Sequence, residues 1–185
     1  MTNKTIIGID PSMNSTGICI NDGGVYKYIL LSTKPTKKML RAVDELKNLR
    51  IIPIQKEPNE RGVQGAINQT KNISYIIDKI STLLTIYRPH HVTLEAPAFN
   101  ATGRIADLSG LNHAIRLECL KRDIPFFPLT PTSVKMQTTG NGAATKEMMI
   151  ETWLQLFPEY KCLQGMKIDD LADAWAMCEF PVRDQ

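Results

Sequence analysis

Ile6-Ile7-Gly8-Ile9-Asp10 is an apolar run of strand length that stops at a carboxylate. Pro11 cannot donate to a sheet ladder, and Ser12 and Asn14 favour a turn, so the strand ends at the acid. Thr16-Gly17-Ile18-Cys19-Ile20 resumes as a second strand. Asn21-Asp22-Gly23-Gly24 is a hairpin turn built from residues that tolerate positive φ, and Val25 to Leu31 is a third β-rich run. Three antiparallel strands therefore open the chain, with Asp10 at the end of the first.

Downstream the hydrophobic period changes. Ile73, Ile76, Ile77, Ile80, Leu83, Leu84 and Tyr87 follow helical spacing, and Arg88-Pro89 ends that helix. His91-Val92-Thr93-Leu94-Glu95 is a short strand, again closing on a carboxylate, and Pro97 to Gly103 reads as a loop. A second helix, Arg104 to Arg122, carries Ile105, Leu108, Leu111, Ile115 and Cys119 on one face. Pro125 to Leu129 is a last strand, and Thr130-Pro131 has the form of an N-cap followed by proline at the first helical position. After the turn Thr139-Gly140-Asn141-Gly142, Thr145 opens a helix that buries Met149, Ile150, Trp153 and Phe157 and stops at Pro158. A final helix runs from Ile168 to Glu179. This order predicts an α/β fold, a mixed five-stranded sheet flanked by helices, in one domain over residues 1–185.

The stretch Lys34 to Gly65 shows no sustained period. Lys34, Lys37, Lys38, Arg41, Lys47, Arg50, Lys56 and Arg61 outnumber Asp44, Glu45, Glu57 and Glu60 there. It reads either as a solvated, partly mobile segment or as a contact for a phosphate backbone.

Composition narrows the class without choosing a function. At 43% hydrophobic and 22% charged residues, the chain has the make-up of a soluble globular protein. No apolar run approaches the ~18 residues of a membrane-spanning helix, and the N-terminus lacks a signal-peptide core, so no membrane association and a cytoplasmic location are expected. A net charge of +3 can hide an acidic pocket inside a basic surround. Cys19, Cys119, Cys162 and Cys178 form no CxxC pair and have no histidine at ligand spacing, so reduced cysteines are expected rather than a zinc site or disulfides.

The acids stand out by position. Asp10 and Glu95 each end an apolar strand. Asp170 and Asp173 lie three apart on the last helix and point the same way, and Asp169 can share the face of Asp173. Singly, each is compatible with a turn, a cap or a solvated surface. The helix acids, however, sit among Leu171, Ala172, Ala174, Trp175, Ala176 and Met177, where burial and like-charge repulsion disfavour the ionised form unless a cation is near. Converging carboxylates of this kind suit Mg²⁺ or Mn²⁺, and a pair of such ions serves phosphodiester hydrolysis.

These residues resemble the RuvC family of Holliday-junction resolvases, within the RNase H-like superfamily. Ile7-Gly8-Ile9-Asp10-Pro11-Ser12 with Thr16-Gly17 resembles its first acidic motif and Leu94-Glu95 its second. Pro131-Thr132-Ser133-Val134-Lys135, with Thr139-Gly140-Asn141-Gly142 and Thr145-Lys146, is similar to its basic stretch. Asp170-Leu171-Ala172-Asp173-Ala174 resembles its C-terminal acidic pair. The motifs come in the family's order and span nearly the whole chain.

The resemblance implies an RNase H-like fold and a homodimeric, Mg²⁺-dependent endonuclease for four-way DNA junctions, with two ions per site. Asp10, Glu95, Asp170 and Asp173 are then metal ligands and catalytic residues, and Lys135 and Lys146 contact phosphate or the developing charge. Bacterial members carry an aromatic residue three positions after the second acid. Here that position is Ala98 and the aromatic is Phe99, which together with Arg104 is a candidate DNA contact. The longer Lys34–Gly65 segment adds to the impression of a divergent member, such as one carried by a phage or another mobile element. Two other functions fit the same residues: a broader nuclease for flaps, forks or RNA–DNA hybrids, and a branched-DNA-binding protein that does not cut. The helix from Arg104 to Arg122 is the candidate dimer interface.

Overall fold

The structure, a computed structural model, describes residues 4–96 and 105–182. Its strands are β1 (Thr5–Asp10), β2 (Ser15–Asp22), β3 (Val25–Ser32), β4 (Leu49–Pro53), β5 (His91–Glu95) and β6 (Phe126–Leu129). The helices are α1 (Lys37–Val43), α2 (Gly62–Tyr87), α3 (Ile105–Leu120), α4 (Pro131–Thr139), α5 (Lys146–Leu156) and α6 (Asp169–Cys178), with a 3₁₀ turn at Pro158–Leu163. The six strands form one mixed sheet in the order β4-β3-β2-β1-β5-β6. The pairs β1–β2 and β2–β3 are antiparallel, and the other three are parallel.

The sheet thus has one strand more than the sequence reading expects. The extra strand comes from Lys34–Gly65, which holds α1 and β4 rather than one long solvated segment. α1 buries only Met39, and β4 is a five-residue strand at the sheet edge, so neither leaves a periodic pattern. α2 also begins earlier, at Gly62. Its buried positions Gly65, Asn68, Asn72, Ile76, Ile80 and Leu84 hold helical spacing throughout, but the first half buries asparagines instead of aliphatics. Those asparagines are satisfied by the preceding segment: Asn68 donates to the Pro58 carbonyl at 3.1 Å, and Asn72 accepts from the Glu57 N–H at 2.6 Å.

Strand alternation divides the core in two. Ile7, Ile9, Ile18, Ile20, Ile29 and Leu31 pack with α2 and α3 on one face. Cys19, Tyr28 and Leu30 pack with α5, α6 and the 3₁₀ turn on the other. On that second face Trp153 donates to the Tyr28 hydroxyl at 3.1 Å and stacks on Tyr160 at 5.1 Å between centroids. By the same alternation, Gly8 and Asp10 face α6.

α6 approaches β1 and β2 closely because glycines stand beneath it. A Cβ on Gly8 would come within 2.2 Å of the Ala174 carbonyl oxygen, so the helix backbone rests on the strand. Thr93 of β5 then donates to the Met177 carbonyl at 2.8 Å, and Cys178 lies against the Cys19 carbonyl at 3.2 Å. All four cysteines are unpaired thiols; Cys19, Cys119 and Cys178 are buried and Cys162 is exposed. Among the described residues, no helix is long and apolar enough to cross a membrane.

Candidate active site

Strand register assembles the acids. In the parallel β1–β5 pair Ile9 stands opposite Leu94, so the next residues, Asp10 and Glu95, emerge side by side at the ends of their strands. In the antiparallel β1–β2 pair Asp10 stands opposite Gly17, and the Asp170 backbone lies directly over Gly17. The first turn of α6 thereby meets the end of β1. Asp173, one turn further along, faces the same region, and it lines a small pocket with Glu95 and Lys135.

The electrostatics reflect that crowding. Asp10 is only 7% exposed. Burial, followed by the charges of Glu95 and Asp170 and a hydrogen bond with Glu95, pushes its carboxyl well above the usual range. Asp170 is pushed up to about 6, chiefly by burial, although the Ser15 hydroxyl donates to its Oδ2 and stabilises the ionised form. Asp173 is pushed up to about 7, by burial first and then by Glu95 and Asp169.

Carboxylates in such contact either share protons or share a cation. All the donors are hard oxygens, which matches Mg²⁺ or Mn²⁺ and not a soft metal. Among the described residues, however, no group of three or more His, Cys, Asp or Glu side chains forms a ready-made ion cage. The oxygen donors fit a divalent cation by their chemistry, and strand register with the α6 crossing brings Asp10, Glu95 and Asp170 to one end of the sheet.

Other predicted residues fall around this group. Lys146, the first residue of α5, is ion-paired with Asp169, which raises the lysine's proton affinity. Asp169 is thus paired with the lysine, while its charge still acts on Asp170 and Asp173. Lys135, on α4, borders Glu95 and Asp173. Phe99 and Arg104, with the rest of Pro97–Gly103, lie outside the described residues. Two residues that the sequence reading passes over support the acids directly: Ser15 at Asp170, and Asn112 of α3, which donates to the Glu95 carbonyl at 2.6 Å. Neither has a distinguishing spacing, because each meets its partner only through the tertiary fold.

The profile of the family crossover junction endodeoxyribonuclease RuvC matches residues 62–178. The chain belongs to the RuvC family. It is 29% identical over 115 residues to the crossover junction endodeoxyribonuclease RuvC of Dictyoglomus thermophilum, covering 58% of this chain and 67% of that one. To the RuvC of Caldicellulosiruptor saccharolyticus it is 25% identical over 180 residues, covering 93% and 88%. In fold it resembles Thermus thermophilus RuvC, with a TM-score of 0.58, 19% identity and coverage of 94% of this chain and 90% of that one. The complex of T. thermophilus RuvC with Holliday junction substrate gives 0.56 at 20% identity, covering 95% and 90%.

Proposed function

We propose that this RuvC-family chain acts as one nuclease domain that resolves four-way DNA junctions by metal-dependent hydrolysis of phosphodiesters. The observation that carries the reading is the buried Asp10, held against Glu95 and Asp170 by strand register and the α6 crossing, with the Asp10 and Asp170 carboxyls driven above their ordinary range. Such a set is costly to bury unless cations bind there.

Asp10, Glu95, Asp170 and Asp173 would hold the metal, Mg²⁺ with Mn²⁺ as a substitute and two ions per site. When bound, such ions supply Lewis acidity to the attacking water and the leaving oxygen. The protein's own contribution is positional. β1 and β5 fix two acids at rigid strand ends, and α6 brings two more across glycine contacts. Ser15 orients Asp170. Lys146 and Lys135 place positive charge beside the acids, where a scissile phosphate gains negative charge. Phe99 and Arg104 remain candidate contacts to DNA.

A homodimer would set two such sites on opposed strands. On α3, Leu117 and Leu120 are 51% and 60% exposed, which favours that helix as the interface. Sedimentation of wild type and Leu117→Glu tests this; equal masses would remove α3 from the interface.

The deciding experiment is cleavage of a labelled mobile four-way junction in Mg²⁺, mapped to the nucleotide, beside fork, flap, duplex and RNA–DNA hybrid substrates. Paired symmetric cuts restricted to the junction are expected. Equal rates on every substrate would replace the reading with a broad nuclease, and binding without cutting would leave a junction-binding protein.

A further inference from the structure

Beside the acids lies a cleft of about 710 Å³, walled by the turn after β1, the β3–α1 connection and the loop entering α6. Lys34, Lys38, Lys56 and Lys167 line it together with Ser and Thr hydroxyls, and none of its lining residues is acidic. Lys56 reaches the Asn14 side chain. Lys34, Lys38 and Lys167 are exposed, and among the described residues none of them has an ion-pair partner.

Several ammonium groups facing one cleft without a counter-charge repel one another, an imbalance that an anion relieves. The space and the spread of the lysines, from α1 to the α6 entry, suit a run of phosphates better than a single one. The cleft also leads to the acids, because Ser15 both lines it and donates to Asp170. Lys34, Lys38 and Lys56 precede the residues matched by the family profile, so most of this charge comes from the segment that carries α1 and β4.

We propose that the cleft is a binding track for the phosphodiester backbone of the DNA strand being cut, with Lys34, Lys38 and Lys167 neutralising its phosphates. The proposal rests on the nuclease reading of the acids. It makes α1 and the segment that follows β4 part of the wall of a substrate groove rather than a surface decoration.

The test is junction binding by wild type and by the triple variant Lys34→Gln, Lys38→Gln, Lys167→Gln. Binding is measured without divalent metal between about 50 and 200 mM salt, where lost phosphate contacts lower the salt dependence. The triple variant should melt as wild type does, bind duplex and junction more weakly alike, and show a log–log salt slope shallower by about 2 to 3. If it does not fold, each single substitution should lower the slope by about 0.9. An unchanged slope overturns the track, and so does weaker binding with no change in slope.

Cleavage by wild type in Mg²⁺ reports separately on the nuclease reading. Cutting with an unchanged variant slope rejects the track alone. Binding without cutting rejects the nuclease, and the slope comparison still decides the track. No binding by wild type rejects both.

Discussion

The Asp170 carbonyl oxygen lies where a side chain on Gly17 would begin: a Cβ there would stand 1.9 Å from it. Gly17 faces Asp10 across the β1–β2 pair, so this one contact sets the distance between the strand acid and the helix acid. Gly17→Ala should therefore push the N-terminal end of α6 outward. The expected cost is about 1–3 kcal/mol of stability, the usual range for overpacking, with cleavage lost by far more than binding. Thermal melting and junction cleavage measured together check this; full activity in Gly17→Ala would mean that α6 is not positioned by this contact.

Asp10→Asn replaces the most buried carboxyl of the acidic group. Cleavage in Mg²⁺ should disappear while junction affinity stays level or rises, since one negative charge near the phosphates is gone. The metal-free variant should also be at least as stable as wild type, because the amide that replaces this carboxyl cannot ionise beside Glu95 and Asp170. A gel-shift titration alongside a nuclease assay separates the effects, and a cleaving variant would remove Asp10 from the chemistry.

The acids also predict how metal-free stability changes with pH. Asp170 and Asp173 titrate near about 6 and about 7 in the folded chain, above an ordinary aspartate. Between about pH 4 and 7 the folded state therefore binds more protons than the unfolded state, and stability falls as pH rises through that window. Mg²⁺ should restore it, raising the melting temperature more at pH 7.5 than at pH 5. Melting curves with and without Mg²⁺ at the two pH values read this directly; an equal shift at both would show that the ion does not bind at these carboxylates.

Lys146 is mostly exposed, so its pair with Asp169 should add little stability. Lys146→Ala is expected to leave the melting temperature nearly unchanged while lowering single-turnover cleavage by about 10²-fold, the scale for losing one charge-stabilising donor. Lys146→Arg should recover part of that rate. Wild-type cleavage by Lys146→Ala would reduce the residue to an ordinary surface pair.

Trp153 is fully buried and hydrogen-bonded to Tyr28, joining α5 to the sheet. Trp153→Ala should cost about 3–5 kcal/mol, with Trp153→Phe costing less. Denaturant titration measures both, and a near-neutral Trp153→Ala would show that α5 is held elsewhere.

Much of this arrangement was legible in the sequence because it rests on local patterns. β5 falls at His91–Glu95 as its apolar run suggests, and α6 spans Asp169–Cys178, one residue inside each end of the Ile168–Glu179 stretch that the sequence implies. Asp10 and Glu95 were recognisable because each closes a strand and the chain turns away after it. What stayed hidden depends on partners distant in sequence. β4 is defined by β3 beside it and not by its own five residues. The first half of α2 buries Asn68 and Asn72, polar residues that a hydrophobic period does not count. Ser15 meets Asp170 only once α6 has crossed β2.

β6 closes one side of the sheet, and its ladder bonds to β5 run through the carbonyls of Pro125 and Leu129. Phe126 and Pro128, with the opposite parity, turn their backbone outward, and Pro128 has no N–H to offer there. A second chain reaching that border would find the template interrupted at its centre. Edge-to-edge fusion of two sheets, and the fibrous growth that can follow from it, is blocked on this side by a single imino acid.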